Sequence, residues 1–412
     1  MHGGSSSVKL ACWIPVKIVP LPGYTMRQVA GGNSSGVNRM SLSRHACLAL
    51  FVCLPALAWP QQSPAPAAAA EQPKATSSSA PRAPALVVRP APAPRTPGGR
   101  IHLDVVVTDK SGKPVSGLEL KDFTLLDDNQ PGKILSFQAF GGGVQQTNPP
   151  VEVILVLDTV NLPFLTVSVA RGQIANFLLQ NGGHLAEPVS LFVLTEKGVD
   201  AQRRPSLDGN ALAVEVNKVD NQLRTIGRSA GFWGATERFQ ASLEMFSAIA
   251  ENEAKKPDRK LLIWAGSGWP LFDSLRIETT FKQRQQYFDA LVRLSTELRE
   301  ARISIYSVSL GQPGLNSFLY ENFLKGVTTA AKMNLPNLGL KVFAVRSGGA
   351  VLGPDNDMTA QIDRCIQDAG AFYTISFDPP QADRANEYHD LKVLVDRPEL
   401  KARTNTGYYN QP

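Results

Sequence analysis

VEVILVLD, residues 151–158, is an apolar run that ends in an aspartate. Such a run is typical of a parallel strand covered on both faces, because neither face of that strand meets water. Three further apolar runs follow, at residues 189–194, 260–264 and 303–308, and segments with helical spacing of apolar residues separate them. Strands that alternate with helices imply right-handed crossovers. The sequence therefore predicts an open α/β fold with a mainly parallel sheet and helices on both faces.

The same patterns predict the remaining elements. Helices are expected at residues 167–179, 211–223, 236–254, 284–300 and 358–369, a short strand at 341–345, and two closing strands at 372–377 and 391–395. The segment 311–340 is longer than a typical crossover, with a short helix expected at 319–331. Because long loops in compact domains tend to be functional or mobile, we expect this segment to shape a binding surface.

Residues 99–145 predict a small all-β unit ahead of the α/β domain. Short β-branched runs are separated there by turn sequences such as Asp109–Gly112 and Asp127–Gly132. One helical turn is expected between Ser116 and Phe123. The α/β domain and its closing strands are then assigned to residues 150–412, with a core at about 150–350.

The sequence before residue 99 has the composition of export and linker segments. Residues 40–58, MSLSRHACLALFVCLPALA, combine a basic start, an apolar centre and a small-residue exit, which predicts a signal peptide cleaved after Ala58. The apolar part is shorter than the ~20 residues of a membrane-spanning helix. Residues 1–39 are interpreted as an upstream mis-start, and the Pro/Ala-rich residues 59–98 as a disordered linker. We therefore expect a protein that is secreted or held in the periplasm or cell envelope, without a transmembrane span after cleavage.

Charge and cysteine content narrow the function classes. Hydrophobic residues make up 43% of the chain, which excludes a disordered protein as a whole. Residues 1–58 contain five basic residues and no acidic one, and beyond them 37 basic residues face 36 acidic ones, so a general attraction to nucleic acid is not expected. Only Cys365 lies beyond the predicted leader. It is expected to be a buried small hydrophobe.

The order of motifs resembles the bacterial von Willebrand factor A-related domain family first grouped from acidobacterial proteins. The motifs are VVVTDKSGKPVSGLELKDFTLLDDNQPGKILSF at 105–137, VEVILVLDT at 151–159, RKLLIWAGSG at 259–268 and HDLKVLVDRPELKARTNTGYY at 389–409. The resemblance covers roughly residues 100–410. It implies a Rossmann-like A-type sandwich flanked by β elements in an exported protein.

Typical members of A-type families bind a divalent cation through Asp-x-Ser-x-Ser after the first strand, a later Thr, and an Asp after the fourth strand. The resemblance implies Asp158 and Thr236 as ligands of Mg²⁺, an ion that prefers oxygen. However, Val160 and Leu162 occupy the two serine positions, and the acid is replaced within residues 265–268. We therefore predict a degenerate metal site and no cofactor. The alternative is that Asp158 caps the following turn.

Ligands of open α/β sheets bind beyond the carboxyl ends of the strands. Asn161, Ser267 and Trp269 follow two predicted strands and are candidates for contact with a partner, although tryptophans at such positions are often core residues. The sequence does not predict an enzyme, because a nucleophile elbow around Ser267 needs glycines at 265 and 269. The chain is interpreted as a protein-interaction or adhesion module that binds an unknown protein. A structural envelope component and an exported hydrolase are the alternatives.

Overall fold

The computed structural model describes residues 99–141, 151–195, 198–201, 204–219, 232–269, 279–312 and 318–412, which belong to one compact unit. The predicted mis-start, signal peptide and linker (residues 1–39, 40–58 and 59–98) lie outside these ranges. Within them, no helix is both long enough and apolar enough to cross a membrane.

Over the described residues the chain forms fifteen strands and six α-helices. The strands are β1 (Ile101–Thr108), β2 (Phe123–Asp127), β3 (Gln130–Gly132), β4 (Ser136–Phe140), β5 (Val151–Asp158), β6 (His184–Thr195), β7 (Gly198–Ala201), β8 (Ser206–Asp208), β9 (Arg259–Ala265), β10 (Ile303–Val308), β11 (Ala350–Val351), β12 (Phe372–Phe377), β13 (Glu387–Val395), β14 (Lys401–Arg403) and β15 (Gly407–Asn410). The helices are α1 (Phe164–Leu178), α2 (Gly209–Lys218), α3 (Phe232–Glu253), α4 (Phe281–Glu300), α5 (Leu340–Arg346) and α6 (Met358–Gly370).

The central sheet has the order β11-β10-β9-β5-β6-β7, and β8 also pairs with β6. β5, β6, β9, β10 and β11 are parallel, whereas β7 and β8 run antiparallel to β6. β5 lies between β6 and β9, and all eight of its residues are buried, as its apolar sequence predicts. The predicted α/β class with a mainly parallel sheet is confirmed.

Helices cover both faces of the central sheet. Alternate residues of β5 point to opposite sides, so that Ile154 and Val156 join one apolar core and Val153 and Leu155 join the other. The first core includes residues of α3, α4 and α5, and the second includes residues of α1, α2 and α6. Cys365 of α6 is buried in the second core, as expected for a small hydrophobe.

Two four-stranded sheets, both antiparallel, combine the first and last described segments. Their orders are β14-β1-β12-β4 and β15-β13-β2-β3. Leu103 and Leu125 from the beginning of the chain share one core with Ile375 and Leu391 from its end. The strands expected to form a separate small β unit thus pair with strands near the C-terminus.

Two local predictions differ from the structure, and a third, the helical turn between Ser116 and Phe123, is confirmed as a 3₁₀ turn at Leu120–Asp122. Residues 341–345, predicted as a strand, belong to helix α5, and the parallel strand is β11 instead. The helix expected at 319–331 is replaced by separate 3₁₀ turns at Leu319–Phe323 and Ala330–Lys332. A short apolar run such as that of α5 does not distinguish a buried helix from a buried strand by periodicity.

Candidate functional site

The carboxyl edge of the central sheet contains Asp158, the predicted metal anchor, with a completely buried side chain. Its Oδ1 accepts hydrogen bonds from the backbone N–H groups of Val160 (3.1 Å) and Asn161 (2.9 Å). Its Oδ2 accepts from Asn161 Nδ2 (2.8 Å) and Trp264 Nε1 (2.9 Å). Four donors therefore surround the carboxylate. This geometry favours the alternative interpretation, in which Asp158 caps the turn after β5.

The environment of this carboxyl group acts on its pKa in two directions. Burial raises the pKa of Asp158 above its ordinary value, whereas the hydrogen bonds from Asn161 and Trp264 act to lower it. Hydrogen bonds to an ionised carboxylate stabilise the charged form. The Asp158 carboxylate thus depends on its turn and on the Trp264 indole for solvation.

The positions at which an A-type metal site has oxygen ligands are used for packing. Val160 is buried in the same core as Trp264, and Leu162 is buried in the core on the other face of the sheet. Gly266 follows β9 beside Asp158, where an added Cβ would lie 2.8 Å from Asp158 Cβ. A side chain at position 266 would therefore require the strand ends to move apart.

Asn161 and Thr236 are placed differently from each other. The amide of Asn161 is partly buried and also donates to Ser242 Oγ at 2.9 Å, while Ser242 donates to Arg238 O within α3. Asn161 thereby ties the β5–α1 turn to α3. Thr236 is a partly buried residue of α3, six positions before Ser242.

The two remaining partner candidates have opposite exposures. Trp269 is buried, donates from Nε1 to Leu338 O at 2.7 Å, and packs edge-on against Trp264 with ring centroids 5.2 Å apart. The structure thus places Trp269 in the core, so its indole does not present a surface to a partner. Ser267 is exposed on the turn between Gly266 and Gly268.

Four apolar side chains are exposed near the carboxyl edge, of which sequence reasoning named only Phe318, as part of the segment 311–340. Phe164 (42% exposed) and Leu165 (77%) open α1, directly after the Asp158 turn. Phe281 (64%) opens α4, and Phe318 (57%) precedes the 3₁₀ turn at Leu319–Phe323. α1 and α4 follow the parallel strands β5 and β9, so their first residues lie at the carboxyl edge of the sheet. The signal in the sequence is that Phe164 and Leu165 precede the buried stripe of α1, which begins at Val167.

A second polar cluster lies where β2, β13 and β15 meet. His389 Nδ1 is 3.0 Å from Asp127 Oδ1 and 3.2 Å from Asp128 Oδ2, and Tyr408 donates to Asp127 Oδ2 at 2.7 Å. Imidazole and carboxylates are ligand types that a divalent cation accepts. The same side chains are already bonded to one another, and the His389 ring stacks on Tyr408. Hydrogen bonds account for His389 Nδ1 and for both Asp127 carboxylate oxygens, whereas His389 Nε2 is buried without a hydrogen-bond partner.

No protein-family model and no curated protein sequence matches the chain. Solved structures similar to it include the human COPII-coat protein Sec24c, with a TM-score of 0.32 and 7% identity over 67% of this chain and 46% of that one. Another is the pilus adhesin SpaC from Lactobacillus rhamnosus GG in its open conformation, with a TM-score of 0.31 and 11% identity over 71% of this chain and 48% of the adhesin. The chain thus spans less than half of either structure. Likeness this distant assigns neither a family nor a function.

Proposed function

We propose that the chain is an exported protein-binding module of the von Willebrand factor A type, which contacts a protein through the carboxyl edge of its central sheet without a bridging metal ion. The observation that carries the proposal is the pair Phe164 and Leu165, exposed directly after the enclosed Asp158 turn. The signal-peptide pattern at residues 40–58 supports export.

The order of the central strands supports the A-type assignment. Six strands form the path of the central sheet, and we number them 1 to 6 in chain order: β5, β6, β7, β9, β10 and β11. In the sheet they lie side by side as 6-5-4-1-2-3. Read from the other edge, this is the 3-2-1-4-5-6 order of doubly wound Rossmann-like sheets. Ligands of such sheets bind where the order reverses, which here is between β5 and β9.

The residues at the point where the strand order reverses favour recognition without a metal ion. Asp158 ends β5 and is bonded by four donors, and Gly266 after β9 leaves no room for an acidic side chain. Mg²⁺ binding usually needs one or two well-placed carboxylates. A partner would therefore contact the side chains that surround the ends of β5 and β9, and not a metal ion between these strand ends.

Apolar side chains at the same edge supply the contact. Large aromatic and aliphatic side chains provide much of the binding free energy of protein interfaces when a partner desolvates them. Phe164, Leu165 and Phe281 offer such groups on the first turns of two helices, and Ser267 adds a polar group on the neighbouring turn.

Site-specific photo-crosslinking tests this proposal. A photoreactive amino acid is introduced at Leu165 or at Phe281 in the full chain, in cells that naturally make it, and the adducts are compared with and without EDTA. Both positions are expected to capture the same protein species, with yields that do not depend on EDTA. Leu394 is the matched control, because it is an exposed apolar residue on β13, outside the central sheet.

The outcomes separate the alternatives. Loss of the adduct in EDTA would contradict metal-free recognition. Equal adduct yields at Leu165 and Leu394 would contradict binding that is specific to the carboxyl edge of the central sheet. The double variant Phe164→Ser/Leu165→Ser is expected to lose the adduct at Phe281 while retaining the unfolding temperature of the wild type, because both side chains are exposed.

A further inference from the structure

A small cavity lies at the opposite, amino-terminal edge of the central sheet. Its volume is about 170 Å³, and Arg100, His102, Arg299, Glu300 and Arg302 line it. His102 comes from β1, Arg299 and Glu300 from the last turn of α4, and Arg302 from the turn into β10. The cavity is thus separate from the carboxyl edge of the proposed protein contact.

Several hydrogen-bond donors around this cavity have no acceptor among the described residues. Arg100 uses Nε to bind Asp378, which leaves its two terminal nitrogens without a partner among the described residues. Among the described residues, no hydrogen bond or ion pair joins Arg299 or the His102 ring to another side chain, although the charges of Glu300 and Tyr408 act on Arg299. An arginine presents five N–H donors in a planar fork that matches an oxyanion. The lining therefore offers several free donors to a ligand.

Two acidic groups nearby, Asp104 and Asp378, are already paired, whereas Asp258 acts on Arg302 without forming an ion pair. Arg302 donates to both oxygens of Asp104, at 2.6 and 3.1 Å, and Asp104 also accepts from Thr374. Arg302 further donates to Pro257 O and holds a left-handed backbone conformation with φ of 56°. It is therefore a fixed, paired cation in the wall. Glu300 is the acidic residue of the cavity lining. Among the described residues, it forms no ion pair with a basic side chain.

We propose that this cavity is a binding site for a phosphate group. A tetrahedral oxyanion accepts donors from three directions, and Arg100, His102 and Arg299 come from different parts of the wall. The partial negative charge at the end of α4, about half an elementary charge, opposes an anion there. Glu300 adds a full negative charge to the lining, and Asp378 offsets the charge of Arg100, so the free N–H donors of Arg100 and Arg299, rather than an excess of positive charge, carry the proposal.

The charges that act on the His102 ring are mainly cationic. Partial desolvation of the His102 ring lowers its pKa, and the charges of Arg302 and Arg100 lower it further, although the residue is exposed at the surface. Burial also lowers the pKa of the Arg299 guanidinium. A bound phosphate dianion would raise the pKa of the His102 imidazole and so oppose the effect of these cations. His102 is therefore a reporter of occupancy.

Calorimetric titration of the full chain with inorganic phosphate, at fixed ionic strength set with sodium chloride, tests the site. Arg299→Gln is expected to weaken phosphate binding about tenfold or more, as loss of charge-assisted hydrogen bonds implies. Glu300→Gln is expected to strengthen it, because it removes the acid of the lining. Arg384→Gln is the matched control, since it removes the same charge from an exposed position elsewhere.

NMR titration of the His102 ring gives an independent readout. Its pKa is expected to rise when phosphate is added and to stay constant with chloride. Equal phosphate affinity in the wild type and Arg299→Gln would overturn the proposal, as would an equal loss in Arg384→Gln. Equal binding of acetate would show a general anion effect and overturn the phosphate assignment. If Arg299→Gln fails to fold, His102→Gln replaces it, because that side chain is exposed.

Discussion

At the scale of single residues, packing and hydrogen bonding fill the carboxyl edge of the central sheet around Asp158. The departures at Val160, Leu162 and Gly266 were readable in the sequence and led to the prediction of a degenerate site. The bond from the Trp264 indole to Asp158 was not readable, because it joins residues 106 positions apart that become neighbours only when β5 pairs with β9. The burial of Trp269 depends in the same way on Leu338.

Asp158→Asn is expected to destabilise the fold by about 1–3 kcal/mol. The new amide group has two donors where Asp158 offers acceptors to four N–H groups, so buried donors would lose their partner. Urea unfolding with and without Mg²⁺ measures this change. The same loss is expected in both buffers, and Mg²⁺ stabilisation of the wild type that disappears in Asp158→Asn would contradict the capping role.

Glu187 makes stability depend on pH. Burial raises the pKa of this carboxyl from 4.5 to about 7. Because the folded-state pKa is above the unfolded one, the unfolded state loses its proton first, and stability falls as the pH rises from about 4.5 to 7. Glu187→Gln is therefore expected to unfold at a higher temperature than the wild type at pH 8.

Calorimetric scans at pH 4.5 and pH 8 measure that difference, which is expected to shrink at the lower pH. Glu321→Gln, at an exposed position, is the matched control. The same difference at both pH values would contradict the titration of Glu187.

At the scale of elements, the long and strongly patterned segments were predictable and the short ones were not. β10 and β12 have the predicted bounds, because an apolar run between two polar boundaries defines a strand. α5 was predicted as a strand because its buried residues lie on more than one side, and packing against β10 decides between the two forms. β7 and β8 were not predicted because each has only three or four residues.

The turn between α5 and β11 depends on close backbone contact. A Cβ added at Gly349 would lie 1.8 Å from Ile305 O, whereas one at Gly353 would meet nothing within 4 Å. Gly349→Ala is expected to cost about 3 kcal/mol or more, because the parallel pairing of β10 with β11 must shift. Gly353→Ala is the matched control in urea unfolding. Similar unfolding midpoints for the two variants would contradict this role for Gly349.

At the scale of the whole molecule, the two antiparallel sheets join residues from opposite ends of the described chain. Phe377 pairs with Ile101 and Arg403 pairs with Val106, although each pair is separated by more than 270 positions. Local sequence patterns predict where such strands are and give no information about their partners, which explains why a separate β unit was expected.

Removal of residues 401–412 is expected to unfold both antiparallel sheets. The deletion removes β14 and β15, and with them the buried Tyr408 and Tyr409. Trypsin digestion followed by mass spectrometry should reveal new cleavage at Lys392, which lies on β13, the strand that loses its pairing with β15. Deletion of Pro412 alone is the control, and unchanged protection in the longer deletion would contradict the coupling.

The pairing of β1 with β12 and β14 also determines when the sheet that contains β1 can form during synthesis of the chain. β1 is among the first described strands to leave the ribosome, and β14 is among the last. The apolar residues of β1 must therefore stay without their final partners until residues 401–403 have been translated. A nascent chain in this state exposes an unpaired, aggregation-prone strand, and under the proposed export it would still be unfolded when it reached a translocation channel.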